Sequence, residues 1–259
     1  MAVLLDYQHV EISFNGNAVV HDVSFHLHPG EILGLVGESG SGKTTLLKAA
    51  MGLLGSSGMV TKGDIWFEGK NLPDLPPKEM RKICGEKIGM IFQDCGASMS
   101  PIRTIGEQIV ESLSAHHKVD VRDAKATAME LFDKLRFKDG ERVWNSYPFE
   151  LSGGMNQRAG IAIAMLMNPV VLMADEPTSA LDVAVQRQVV EEMLHVREVF
   201  GTAIIIVTHD IGVVSAMADS ILVLQDGNVM EYGKAKDVLN NPQNDYTKKL
   251  LSAVPRLRR

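Results

Sequence analysis

A chain of 259 residues, 45% hydrophobic and 22% charged, has the composition of an ordinary globular protein with ample material for a core. Its formal charge of −6 argues against a general nucleic-acid binder, which should be basic. The longest apolar runs, residues 161–166 and 203–207, are far too short to span a bilayer, and residues 1–6 lack the basic region and apolar core of a signal peptide. Cys84 and Cys95 stand in no CxxC pattern and at no metal-ligand spacing, which points to free thiols in a reducing cytosol.

In chain order, residues 10–14 and 23–27 alternate apolar and polar side chains, as strands of a half-exposed sheet do. Pro29-Gly30 reads as a turn into residues 32–36, an apolar run of buried-strand type. The segment Gly37-Glu38-Ser39-Gly40-Ser41-Gly42-Lys43-Thr44 comes next, with a helical stretch from Thr45 to Met51 behind it. It fits the phosphate-loop pattern G-x-x-x-x-G-K-[ST]. Glycines let backbone N–H groups close on phosphates, and the helix start adds its positive end. Lys43 would reach the β- and γ-phosphates, while the Thr44 hydroxyl would take a Mg²⁺ position. Thr45 extends the expected nucleotide contact into the first helical turn.

Residues 64–67 and 88–92 are further short strands. From Thr104 to Leu135 the pattern is helical, with a break near residues 116–120. The segment Leu151-Ser152-Gly153-Gly154-Met155-Asn156-Gln157-Arg158 reads locally as a helix start: a serine cap, two glycines, then a mostly apolar run from Ala159. Apolar runs at 170–174, 204–207 and 221–224 are strand-like and separated by helical stretches. This alternation predicts an α/β fold with a largely parallel, buried sheet. An N-terminal antiparallel β subdomain and an inserted helical subdomain, about residues 95–168, complete a single domain spanning 1–259. The run at 170–174 ends in Asp175-Glu176, placing carboxylates at a strand's C-terminal edge. Asp175 would hold Mg²⁺, and Glu176 would polarise an attacking water as general base.

The order of residues 37–44, Gln93, 151–158, Asp175-Glu176, Ser179-Ala180-Leu181-Asp182 and His209 resembles the ATP-binding-cassette (ABC) ATPases over nearly the whole chain. Further strings resemble the ATPase subunits of bacterial dipeptide, oligopeptide and nickel importers. They are Ile91-Phe92-Gln93-Asp94, residues 104–109, Tyr147-Pro148, residues 175–183, and residues 246–255, from Tyr246-Thr247 to Val254-Pro255. The resemblance implies ATP and Mg²⁺ as ligands. It implies that Ser152, Gly153 and Gly154 bind the γ-phosphate of ATP held by a second cassette, identical or paralogous. Gln93 would touch Mg²⁺ or the attacking water and sense a membrane subunit. His209 would contact the γ-phosphate and Glu176, Asp182 would lie at the dimer seam, and Phe14 would stack on adenine.

The expected partners are transmembrane permease subunits and, indirectly, an extracytoplasmic substrate-binding protein, with the chain at the cytoplasmic face of the membrane. Cargo would be a peptide, nickel or a metal chelate. A soluble ABC ATPase acting on nucleic acid or in complex assembly is the other class, but the modest helical block lacks the long insertions usual in chromosome-maintenance and repair types. Cys95 stands where the family often shows proline, and is expected to alter loop stiffness rather than chemistry. Some relatives carry a C-terminal cysteine cluster that can hold iron–sulfur; such cysteines are absent from the sequence, so no cluster is expected. His26, His28, His116 and His117 are expected at surface or strand positions, and the basic residues Arg256, Arg258 and Arg259 as a solvated run.

Overall fold

The computed structural model describes residues 2–179 and 181–252; Ala180 and residues 253–259, including the basic run and Pro255, lie outside the described residues. The chain divides into two compact units, one of residues 1–81 with 203–259 and the other of residues 82–202.

In the first unit, β1 (Leu5–Phe14) and β2 (Asn17–Leu27) pair antiparallel around a tight turn. Then β3 (Ile32–Val36) enters the phosphate loop and α1 (Lys43–Ala50) leaves it. The strand β4 (Gly58–Phe67) pairs antiparallel with β1 and with the short β5 (Lys70–Asn71), so the N-terminal sheet runs β2-β1-β4-β5. Buried Tyr7 stacks on Phe25 at 4.2 Å and donates its hydroxyl to the Leu46 carbonyl at 2.9 Å, tying this sheet to α1. The helix α2 (Pro77–Ile83) begins at the end of this stretch and its last two residues belong to the second unit.

The second unit contains β6 (Ile88–Ile91), α3 (Cys95–Ser98), α4 (Ile105–Ser114), α5 (Val121–Lys134) and α6 (Gly140–Asn145). After them come α7 (Gly153–Met165), β7 (Val171–Asp175) and α8 (Val183–Phe200), with β7 parallel to β6. Its helices begin on sequence-encoded caps. Thr104 and Glu107 form a reciprocal capping box on α4, and Asp120 accepts the Asp123 N–H at 2.8 Å on α5, where the helical pattern restarts after its break. The helix α4 lies close to α6: a Cβ at Gly106 would sit 2.4 Å from Trp144 Cε2.

The chain returns to the first unit with β8 (Ala203–Thr208), α9 (Ile211–Met217), β9 (Ser220–Gln225), β10 (Asn228–Lys234), α10 (Ala235–Asn240) and α11 (Asp245–Ser252). Here β3 is flanked in parallel by β8 and β9, and β10 pairs antiparallel with β9. Every residue of β3 and β8 is buried, which is why they read as unbroken apolar runs. Gly34 sits in β3 where a Cβ would be 2.5 Å from Val214 of α9, so glycine lets that helix lie on the strand. Parallel strands in each unit, the antiparallel N-terminal sheet and the helical stretch of residues 95–165 agree with the expected α/β fold. The strand β10 was not expected: its residues are mostly half-buried, with no period-two signal to mark it.

Candidate nucleotide-binding and catalytic site

In the first unit the loop of residues 37–42 joins β3 to α1. Gly37 runs beneath the next strand so closely that a Cβ would lie 2.1 Å from the Leu224 carbonyl oxygen. Gly42 caps α1 with φ 99°, a left-handed conformation that glycine adopts without strain. Gly42 offers no side-chain acceptor to the first turn of α1, and the start of a helix favours an anion there. The Lys43 side chain is folded over the loop, donating to Gly37 O at 2.9 Å, Glu38 O at 2.7 Å and Ser41 Oγ at 3.3 Å. Its ammonium is thereby held above the backbone cradle, and phosphate oxygens would be stronger acceptors than these neutral ones.

Phe14 ends β1 half-buried, its ring lying across Gly58, where a Cβ would be 2.6 Å from Phe14 Cε1. His209 is exposed directly after β8. Behind it Thr208 Oγ1 accepts the Asp210 N–H at 3.0 Å, and Asp210 caps α9 through Gly212 N at 2.7 Å. The histidine therefore stands on a braced strand-to-helix turn.

In the second unit Asp175 is the last residue of β7, only 6% exposed. Glu176 comes next with φ 46°, a left-handed backbone that costs a non-glycine residue about 1 kcal/mol or more. Its carbonyl accepts the Ser179 N–H at 3.0 Å, and the Ser179 hydroxyl reaches the Gln93 carbonyl at 3.4 Å. These bonds bring the turn after Glu176 and the exposed Gln93 onto one edge of the unit. Asp94 caps α3 through Ala97 N at 2.8 Å. Cys95 then turns inward and is 3% exposed; burial, with the Asp94 carboxylate beside it, pushes its thiol up to about 12.

Ser152 caps α7 by accepting the Met155 N–H at 3.3 Å, confirming the local reading of a helix start. Nothing stands within 4 Å of where a Gly153 Cβ would be, whereas one on Gly154 would meet Val185 of α8 at 3.2 Å. The start of α7 is thus open beside Gly153, and the N-terminal end of a helix favours an anion. Arg158 fixes the other end of this motif. It donates to the Leu135 carbonyl at 2.6 Å, covers the Phe137 ring at 4.4 Å and pairs with Glu192 at 2.9 Å. At that Nε contact the distance makes an ion pair, although the N–H direction falls outside a hydrogen bond. Burial nevertheless pushes the Glu192 carboxyl up, against the pull of Arg158. Asp182 caps α8, accepting from Ala184 N and Val185 N at 3.0 Å each, a structural task beyond the seam position that resemblance assigns to it.

Among the expected site residues, the loop of residues 37–45, Phe14 and His209 fall in the first unit; Gln93, Asp175, Glu176 and residues 152–154 fall in the second. The histidines divide. His26 lies in β2 and His117 is exposed, whereas His116 is half-buried. It comes after α4, its side chain is 17% exposed, and its ring packs on Gly85 with Nδ1 3.5 Å from Glu86. One contact of the loop carries no local sequence signal: the Tyr246 hydroxyl on α11 accepts the Glu38 N–H at 3.3 Å, across 208 positions.

A glycine-built loop on a buried parallel strand in one unit, and a strand-end Asp-Glu and a Ser-Gly-Gly helix start in the other, are features found in nucleotide-hydrolysing cassettes. The family model described as "ABC transporter" matches residues 20–179, and one described as "Oligopeptide/dipeptide transporter, C-terminal region" matches residues 230–259. The chain belongs to the ABC transporter family and is its ATP-hydrolysing subunit. It is 42% identical to the oligopeptide transport ATP-binding protein OppD of Haemophilus influenzae, over 99% of this chain and 80% of that one. It is 41% identical to the dipeptide transport ATP-binding protein DppD of Lactococcus lactis, over 97% and 74% respectively. Among solved structures, a dimeric post-hydrolysis state of the ATP-binding cassette MJ0796 bound to ADP and Pi aligns with TM-score 0.76 at 28% identity, covering 90% of this chain and 99% of that one. The fold also matches cbiO1 of Clostridium perfringens, with TM-score 0.81 at 24% identity over 99% and 97% of the two chains.

Proposed function

We propose that this chain energises a peptide importer, binding and hydrolysing ATP as one cassette of a pair. The observation that carries the reading is the Lys43 ammonium held over the loop of residues 37–44, in a chain that aligns over 90% of its length with a cassette bound to ADP and Pi. Residues 37–45 cradle the phosphates, Lys43 neutralises them, and Phe14 takes the adenine. Mg²⁺ takes hard oxygen ligands, and each unit offers donors of that kind: the Thr44 hydroxyl in the first, the Gln93 amide oxygen and the buried Asp175 carboxylate in the second. When bound, the ion supplies charge neutralisation to the phosphates. Glu176 accepts a proton from the attacking water, and His209 donates a hydrogen bond to the developing charge on the γ-phosphate.

The open helix start at Ser152, Gly153 and Gly154 serves ATP bound by the partner cassette, identical or paralogous; the dimeric description of the MJ0796 structure supports pairing. The whole chain, residues 1–259, acts as one ATP-binding domain with residues 95–168 as its helical part. Transmembrane permease subunits hold it at the cytoplasmic face of the membrane, and a substrate-binding protein acts on the far side. No helix among the described residues is long and apolar enough to cross a membrane. OppD and DppD are peptide transport proteins by description, which favours peptide over nickel as cargo. Co-purification with permease subunits, with ATP-dependent uptake of labelled peptide against nickel in vesicles, tests the assignment. ATPase activity that purifies with no membrane subunit, or uptake of nickel alone, would remove it.

A further inference from the structure

We propose that Tyr246 is a positioning residue for ATP binding: its hydroxyl holds the Glu38 peptide in place while Lys43 changes partners. This rests on the reading that residues 37–45 bind ATP.

The helix α11 is tied to the nucleotide end of its unit. Tyr246, Leu250 and Leu251 pack against a buried cluster that includes Val36, the residue before Gly37, and Ile211, two residues after His209. The start of the helix is fixed from β10. The Glu231 carboxylate accepts the Gln243 N–H at 2.9 Å and the Asn244 N–H at 3.2 Å, and Asn244 Oδ1 accepts the Tyr246 N–H at 2.8 Å. Tyr246 is therefore anchored by its ring and its backbone, and its hydroxyl is delivered to Glu38 N at 3.3 Å.

The Glu38 backbone loses a contact when phosphate arrives. Its carbonyl accepts Lys43 Nζ at 2.7 Å and the Ser41 N–H at 3.2 Å. A lysine that turns to phosphate gives up the shorter of these bonds. The hydrogen bond from Glu38 N to Tyr246 comes from outside the loop and does not depend on the lysine. It keeps the first turn of the loop in its phosphate-ready shape, so ordering the backbone costs less on binding.

The test is ATPase kinetics of the full chain in its transporter complex. Tyr246→Phe keeps the ring and removes only the acceptor, and Tyr246→Leu keeps an apolar side chain without ring or hydroxyl. Loss of one hydrogen bond of this kind corresponds to about a five-fold effect. Both variants are expected to raise the KM for ATP by about that factor, with kcat within about two-fold of wild type. Lys43→Ala, measured alongside, reads the nucleotide assignment separately: full turnover in that variant would remove the assignment itself. With Lys43→Ala inactive, an unchanged KM in Tyr246→Phe overturns the proposal. A KM raised in Tyr246→Leu but not in Tyr246→Phe also overturns it, since the ring and not the hydroxyl would then matter.

Discussion

Cys95 Sγ fills the space that a side chain at residue 160 would need: a Cβ there would lie 2.6 Å from Sγ and 2.9 Å from the Cys95 Cβ. The short helix after Gln93 and the helix after Ser152 therefore meet at a cysteine–glycine pair. The sequence position of Cys95, in place of the family's usual proline, suggested an effect on loop stiffness. Its buried contact with α7 makes packing the more direct consequence.

Gly160→Ala should destabilise the chain. Overpacking of this kind costs about 1–3 kcal/mol, against about 1 kcal/mol that alanine gains over glycine within a helix. Adding Cys95→Ala should recover part of the loss, because the 2.6 Å approach disappears while the 2.9 Å one remains. Denaturant unfolding of both single variants and the double variant measures the coupling; strict additivity would show that the two side-chain positions do not compete.

The Cys95 thiol should resist alkylation in the native protein at neutral pH, because burial holds its ionisation up to about 12 against an ordinary value of 9.0. The native state keeps its proton while the unfolded thiol loses one, which sets the sign of the stability effect. This contribution is fully present below pH 9.0 and is lost as pH rises toward 12. Mass-spectrometric alkylation, and unfolding of wild type and Cys95→Ala between about pH 8 and pH 10, check the two statements. Rapid labelling of native Cys95, or identical alkaline slopes, would contradict them.

Glu176→Gln should keep ATP binding and lose turnover by about 10²–10⁴-fold, the usual contribution of a general base. Glutamine tolerates the backbone no better and no worse than glutamate, so the φ of 46° is unchanged and the loss reads chemistry. Single-turnover hydrolysis beside an ATP titration separates the two effects. Near-normal turnover would remove Glu176 from the role of base.

Lys43→Ala should weaken ATP binding by about 10–100-fold, as expected for losing a charge-assisted hydrogen bond. It also strips the Gly37 and Glu38 carbonyls of a donor, so some loss of loop order accompanies the loss of charge. Equilibrium nucleotide titration measures the sum, and an unchanged affinity would place the nucleotide elsewhere.

Much of this was legible because the decisive signals are local. The loop of residues 37–42 carries its glycines in one short segment, Ser152 declares a helix start, and β3 and β8 are apolar throughout because both faces are covered. The strand β10 was not legible, since a half-buried ribbon has no apolar alternation to report. Long-range partners were not legible either. Nothing near Glu38 signals Tyr246, and nothing near Cys95 signals that residue 160 must be small. The half-buried ring of His116 against Gly85 is a third case: two neighbours in space, widely separated in sequence.

The most direct test of the whole account is ATP binding and ATP turnover measured together on Ser152→Arg. The arginine removes a helix cap, worth about 1 kcal/mol, and sets a bulky cation at the open start of α7. If that helix start serves ATP held by another cassette, the variant binds ATP with wild-type affinity and its turnover falls by about 100-fold or more, as for loss of transition-state contacts. Normal turnover, or ATP binding that falls in step with turnover, would contradict the claim that Ser152, Gly153 and Gly154 act on a nucleotide bound by the partner.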